Sequence, residues 1–119
     1  MKRAIIIDDE RLARAELRKL LLDYPEIEVV DEAANVEEGL DKIDQHSPDI
    51  IFLDINMPGK SGINLLKDIR NADWPGKVIM LTNSSETFYR QRCLLLGASF
   101  FLDKTADFEK VPLILNGIL

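Results

Sequence analysis

Short apolar runs separated by longer stretches of helical periodicity organise this chain. Arg3 to Ile7 forms the first run and stops at Asp8. The segment after it places Ala13, Leu17, Leu20, Leu21 and Tyr24 on one face of an amphipathic helix. Pro25 ends that helix, because proline cannot continue the hydrogen-bond ladder, and Ile27 to Val30 forms the second run. Glu26, Glu28 and Asp31 make this run mixed, which suits an edge strand. Asn35 is a favoured N-cap before a helix carrying Val36, Leu40 and Ile43, which Ser47-Pro48 breaks.

The third run, Asp49 to Leu53, is continuously apolar, as a central strand buried on both faces should be, and it ends at Asp54. A turn-forming stretch from Met57 to Gly62 precedes a helix with Ile63, Leu66 and Ile69, closed by Trp74-Pro75-Gly76. Val78 to Leu81 is the fourth run. The small polar residues Thr82 to Ser85 then suit a loop and an N-cap for a fourth helix reaching about Leu96. Gly97 stands where a helix ends in a left-handed residue, and Ser99 to Leu102 is the fifth run. Val111, Ile114, Leu115 and Ile118 share a face of a last helix over 107–119, where Pro112 is tolerable only in the first turn. Alternation of this kind predicts an α/β fold, a parallel sheet covered by helices on both faces, built from five strand–helix units.

Composition narrows the class. The 119 residues are 46% hydrophobic and 30% charged, so 1–119 reads as a single domain with a real core. A net charge of −6 repels nucleic acid and anionic lipid, so no direct nucleic acid binding by this chain is expected. One cysteine, Cys93, and one histidine, His46, exclude an internal disulfide and a zinc cluster. No apolar run approaches the ~18 residues of a membrane span, and too few apolar residues follow Lys2 and Arg3 for an export signal. A cytoplasmic protein with no membrane contact is expected.

In open parallel sheets ligands bind beyond the carboxyl ends of the strands. The residues there are Asp8 and Asp9, Asp31, Asp54, Thr82, and Asp103 with Lys104. Asp8, Asp9 and Asp54 converge if the first and third strands are neighbours, and such carboxylates call for a divalent cation of the magnesium type, ligated by oxygen. An ammonium from Lys104 and a hydroxyl from Thr82 complete a set suited to a transferring phosphoryl group, with Asp54 as the nucleophile. Singly, each residue has an ordinary explanation: a dipole-favoured acid, a turn aspartate, a helix-entry threonine, a solvated lysine. Their occurrence together at successive strand ends favours the chemical reading.

The acid pair in IIIDDE, the acceptor in IIFLDINMPGKSG, the hydroxyl in VIMLTNSS and the lysine in FFLDK, in this order, resemble the response-regulator receiver family over essentially the whole length. The resemblance implies a flavodoxin-like (βα)5 fold with strand order 2-1-3-4-5. It implies a Mg2+-dependent phosphoacceptor, Asp54, charged by a partner histidine kinase or a small acyl phosphate. No enzyme activity is implied beyond self-catalysed phosphoryl transfer and autodephosphorylation. By position, Asp9 and Asp54 ligate Mg2+ through side chains, Asn56 through its backbone carbonyl and Asp8 largely through water. Thr82 and Lys104 contact the phosphoryl group, and Thr82 with Phe101 forms the switch pair that alters the surface of the fourth helix, fifth strand and fifth helix.

That surface region holds Leu94, Leu95, Leu96, Phe100, Phe101 and Leu113. About half should be core, and the rest suggest a phosphorylation-dependent homodimer. Two positions depart from the family pattern: Thr105 follows Lys104 where proline is common, and Asn83 follows the switch threonine where a smaller residue is usual. DDERLARAELRKLL resembles receivers that precede LytTR-type DNA-binding domains, whereas FFLDKTADFEKVP resembles other receivers, some standing alone. Three other classes compete. An engineered or chimeric receiver-fold scaffold without signalling output would keep the fold alone. A Mg2+-dependent phosphatase is faintly echoed by Asp54-Ile55-Asn56, without the second acid. A flavodoxin-like cofactor binder needs a phosphate loop where this chain has three acids. Magnesium-dependent quenching of Trp74 would be an inexpensive sign of cation binding.

Overall fold

The computed structural model describes residues 1–84 and 86–119. Five strands alternate with helices: β1 (Lys2–Ile7), α1 (Arg11–Leu21), β2 (Ile27–Ala33), α2 (Val36–His46), β3 (Ile50–Leu53), α3 (Gly62–Asn71), β4 (Lys77–Thr82), α4 (Thr87–Leu95), β5 (Phe100–Asp103) and α5 (Val111–Ile118), with a short 3-10 turn over Phe108–Lys110 before α5. The sheet is parallel throughout with order β2-β1-β3-β4-β5, the order that the resemblance implies.

Period-two alternation divides the strand side chains between two cores. Ile5, Ile7, Leu53, Val78 and Met80 pack with Val36, Leu65, Leu66, Ile69 and Cys93 on one face. Ala4, Ile6, Phe52, Ile79 and Leu81 pack with Leu17, Leu21, Val111 and Leu115 on the other. Burial on both sides is why the central strands read as unbroken apolar runs. Cys93 belongs to this interior, and burial pushes its thiol up to about 11, so it stays protonated and unreactive.

The edge strand β2 runs three residues past Val30, further than its apolar pattern suggests. The added acids are paired. Asp31 meets Lys42 and His46, each at 3.0 Å, and Glu32 meets Arg14 at 2.8 Å and also Arg18. The register with β1 shifts between Ala4 and Ile5, so Val29 and Asp31 face successive β1 residues and Val30 is the extra one. Asn35 caps α2 as expected. Its side chain accepts from the Glu38 N–H at 2.9 Å, and Glu38 reaches back to the Ala34 N–H at 3.1 Å. Gly97, at φ +105°, ends α4: its N–H bonds to Leu94 and that of Ala98 to Cys93, a Schellman pair.

Other boundaries differ from the pattern, β1 and β4 by a residue at their ends. Asp49 lies outside β3 because its carboxylate accepts from the Arg3 N–H at 2.8 Å. β5 begins one residue later than the apolar run, at Phe100, and includes Asp103. The last helix starts at Val111, after the 3-10 turn, which puts Pro112 in its first turn. The residue capping α4 is Glu86, without a side-chain cap bond, while Ser85 lies outside the described residues. Of the apolar cluster around α4, β5 and α5, Phe101 is buried, Leu96 and Phe100 are half-buried, and Leu94, Leu95 and Leu113 are exposed. Trp74 donates to the Pro48 carbonyl at 3.0 Å, at the amino end of β3. The strand length separates it from the carboxyl-end residues, so it is poorly placed to sense a cation there.

One close approach joins the fold to the chain after β3. A Cβ on Gly62, the first residue of α3, would stand 1.9 Å from the Asp54 carbonyl oxygen and 2.8 Å from its carbon. Both atoms are backbone and cannot yield cheaply. Gly62→Ala should therefore destabilise the protein by about 1–3 kcal/mol, read as a lower urea midpoint with an unchanged slope. An unchanged midpoint would contradict this packing.

Candidate functional site

The carboxyl ends of β1, β3, β4 and β5 meet on one edge of the sheet. β1 and β3 are neighbours, with Ile7 opposite Leu53, so the residues that follow, Asp8 and Asp54, are brought side by side. The Asp54 N–H donates to the Ile7 carbonyl at 3.0 Å and locks that adjacency. Asp8 and Asp54 are buried, at 6% and 4% exposure, and Thr82 at the end of β4 is fully buried. Asp9 is exposed.

Lys104, just past β5, is the centre of the arrangement. Its ammonium lies 2.9 Å from Asp8 Oδ2, 3.0 Å from Asp54 Oδ2 and 2.8 Å from Glu10 Oε1. Burial alone would push the lysine down, but its bonds to Asp8, Glu10 and Asp54 outweigh that and raise it, so it is charged throughout the physiological range. Lys104 in turn holds Glu10 below the usual carboxylate range. Asp8 moves the other way. Its burial outweighs the bonds from Lys104 and the Glu10 N–H, and the neighbouring Asp54 charge adds to the upward shift.

Oxygens of Asp8, Glu10 and Asp54 lie within 4.8 Å of one another. Asp54 Oδ2 is bound by Lys104, whereas Asp54 Oδ1 is buried with no hydrogen-bond partner among the described residues. A buried carboxylate oxygen left unpaired costs free energy unless something binds it. It adjoins a recess of about 190 Å³ lined by Asp9, Glu10, Asp54, Asn56, Asn83 and Lys104. Hard oxygen donors facing an orphaned carboxylate oxygen suit a small divalent cation. A second recess, about 380 Å³, reaches Asp54 from the α1 side past Leu12, Ala13, Thr105 and Phe108.

Of the expected residues, Asp8 and Asp54 both contact Lys104 and Asp9 and Asn56 stand on the recess wall, whereas Thr82 and Phe101 line neither recess. The Thr82 hydroxyl accepts from the Ser84 N–H at 3.1 Å. Phe101 is buried, with the Arg90 guanidinium 5.1 Å above its ring. Sequence reasoning gave Glu10 no role, although it completes the acid run, and its bond to Lys104 spans nearly the whole chain. Arg14 was also missed. It bonds the Asp8 carbonyl and, at 2.8 Å, Glu32, fastening the end of β1 to β2. Its position on the α1 face towards those acids was the available signal.

A parallel sheet in this order, with acids and a lysine at adjoining strand ends, defines a receiver-type phosphorylation module. The response regulator receiver domain family matches residues 4–116, and the chain belongs to that family. It is therefore a receiver domain of two-component response regulators, a class of signalling proteins. The chain is 40% identical over its full length to an uncharacterized response regulatory protein of Vibrio cholerae, covering 49% of that protein. It is 35% identical over 98% of its length to the sensory transduction protein LytR of Staphylococcus haemolyticus, covering 44% of it. It spans about half the length of the curated relatives it matches. In the CheX-CheY-BeF3-Mg+2 complex from Borrelia burgdorferi, the matching chain superposes with TM-score 0.90 at 29% identity, covering 98% of this chain and 88% of that one. Receiver domains bind Mg2+ at an acidic pocket, and the competing phosphatase and scaffold readings are not favoured.

The upward shift of Asp8 has a sign for stability. A carboxyl that holds its proton more tightly when folded imposes a penalty once ionised; the penalty sets in as pH rises above the ordinary carboxylate value and is complete above the raised one. In buffer without divalent cation, Asp8→Asn should be more stable than the parent at pH 7. The difference should shrink as pH falls through the Asp8 titration in urea denaturation. A variant less stable at pH 7 would show that the bond to Lys104 outweighs burial.

Proposed function

We propose that Asp54 is the phosphoacceptor of this receiver, and that the observation carrying the assignment is its unpaired, buried Oδ1 beside a lysine-bound Oδ2. One oxygen is held by Lys104, and Asp54 lines the recess. An Asp54 oxygen attacks the phosphorus of an acyl phosphate or a phosphohistidine. The bond from phosphorus to the donor breaks, and the donor leaves with its electron pair. Lys104, released from part of its carboxylate contact, offsets charge on the phosphoryl oxygens, and the buried Thr82 hydroxyl turns from Ser84 to donate to one of them.

Asp54, Asp9 and the Asn56 backbone carbonyl would hold Mg2+, with Asp8 acting largely through water. The ion supplies charge neutralisation for the transferring group. Receiver domains interact with histidine kinases, and a kinase is the proposed physiological donor here. Movement of Thr82 with Phe101 is the proposed switch. Leu95 and Leu113, exposed at 86% and 71%, make the α4-β5-α5 face the proposed site of a phosphorylation-dependent homodimer. The net charge of −6 supports a chain that does not itself bind nucleic acid, and the free Cys93 fits a reducing cytoplasm.

Incubation with acetyl phosphate and Mg2+ should add one acid-labile phosphoryl group to the intact mass. Asp54→Asn should lose that label entirely, and EDTA should suppress it in the parent. An unlabelled parent, or equal labelling of the variant, would refute the assignment.

A further inference from the structure

The two positions that depart from the family pattern touch each other. The Thr105 hydroxyl donates to Asn83 Oδ1 at 3.1 Å, joining the loop after β5 to the loop after β4. Both residues line the larger recess with Asp54 and Lys104, and Asn83 also lines the smaller one with Asp9 and Asn56. The Asn83 amide therefore stands where the two routes to Asp54 meet. We propose that the Thr105–Asn83 hydrogen bond is a latch across this opening that limits how fast phosphodonors reach Asp54; the inference rests on Asp54 being the acceptor.

Both ends of the latch are braced, which distinguishes it from a casual surface contact. Behind Thr105, Asp103 Oδ1 accepts from the N–H groups of Thr105 and Ala106 at 2.8 and 2.7 Å, and the Asp103 N–H donates to Asp107 Oδ2 at 2.9 Å. Behind Asn83, the Ser84 N–H donates to Thr82 Oγ1, and the Ser84 hydroxyl accepts from the Asn56 side chain. The Lys104 N–H donates to the Thr82 carbonyl at 2.8 Å, so the two loops already share a fixed base. Across that base the latch adds the side-chain bridge, which proline at position 105 could not make. In-line transfer needs room for the donor's leaving group on the side away from Asp54, and the recesses that these two residues line provide space beside it.

The test compares phosphorylation rates with acetyl phosphate and Mg2+ for the parent, Asn83→Ala, Thr105→Val, the double variant and Thr105→Ser. Valine keeps the branched shape of threonine and removes the hydroxyl; serine keeps the hydroxyl. Each of Asn83→Ala and Thr105→Val should raise the rate roughly two- to tenfold, the size of one neutral hydrogen bond's net contribution. The double variant should be no faster than the faster single variant, since both break the same bond, and Thr105→Ser should match the parent. Rates that are unchanged, or that multiply in the double variant, would overturn the latch while leaving Asp54 as acceptor. Absence of label in all five chains would overturn the acceptor assignment and the latch with it.

Discussion

One ammonium group shared by three carboxylates is the interaction on which this site depends. Lys104 lies within 3.0 Å of Asp8, Glu10 and Asp54, whose oxygens crowd within 4.8 Å of one another. Two carboxylates ~4 Å apart repel by about 4 kcal/mol at an effective dielectric near 20, so without the lysine the cluster would push apart or take up protons. A single positive charge does not neutralise three negative ones. The remainder is a standing demand for a cation, and Asp8 bears it most visibly because burial removes the water that would otherwise screen it. Binding chemistry here is thus a consequence of incomplete charge balance in a partly dry place.

The fold serves this balance by leaving the strand ends little freedom. Ile7 and Leu53 are paired in the ladder, and the next residue of each strand is Asp8 and Asp54. Side chains alternate into two separate cores, so a slip of one residue would exchange the cores and carry both aspartates out of register. Further constraints close the edges. Gly62 lets α3 begin against the Asp54 backbone, and Arg14 fastens the Asp8 carbonyl to Glu32 on β2. The acids at the end of β2 look wasteful as strand residues, but with their cationic partners they extend the edge strand alongside the site.

Much of this was legible before any coordinates. The apolar runs located β1, β3, β4 and β5 because buried parallel strands carry few polar interruptions, β2 showed as a mixed edge run, and Asn35 and Gly97 marked helix ends by chemistry that few residues supply. What escaped was set by partners distant in sequence. β2 reaches Ala33 because Lys42, Arg14 and Arg18 neutralise its acids and His46 hydrogen-bonds Asp31, partners that the local pattern of 27–33 does not contain. Asp49 was drawn out of β3 by Arg3. In the site, Asp8, Asp54 and Lys104 were visible from their strand-end positions, whereas Glu10 looked like one more helix-start acid. Its role depends on Lys104, which only the fold brings near.

Among the described residues, α4 buries fewer of its own residues than the other four helices. Among the described residues of α4, Cys93 alone is buried, and no side chain caps its first turn. Its attachment depends heavily on Arg90, which donates to the Phe101 carbonyl at 3.1 Å, stacks 5.1 Å over the Phe101 ring and faces Asp107 at 3.9 Å. Helices α2 and α3, by contrast, carry side-chain caps, and α3 buries four residues. Elements with few buried contacts open at the lowest free-energy cost. The Arg90–Phe101 contact therefore carries much of the tie between α4 and the sheet.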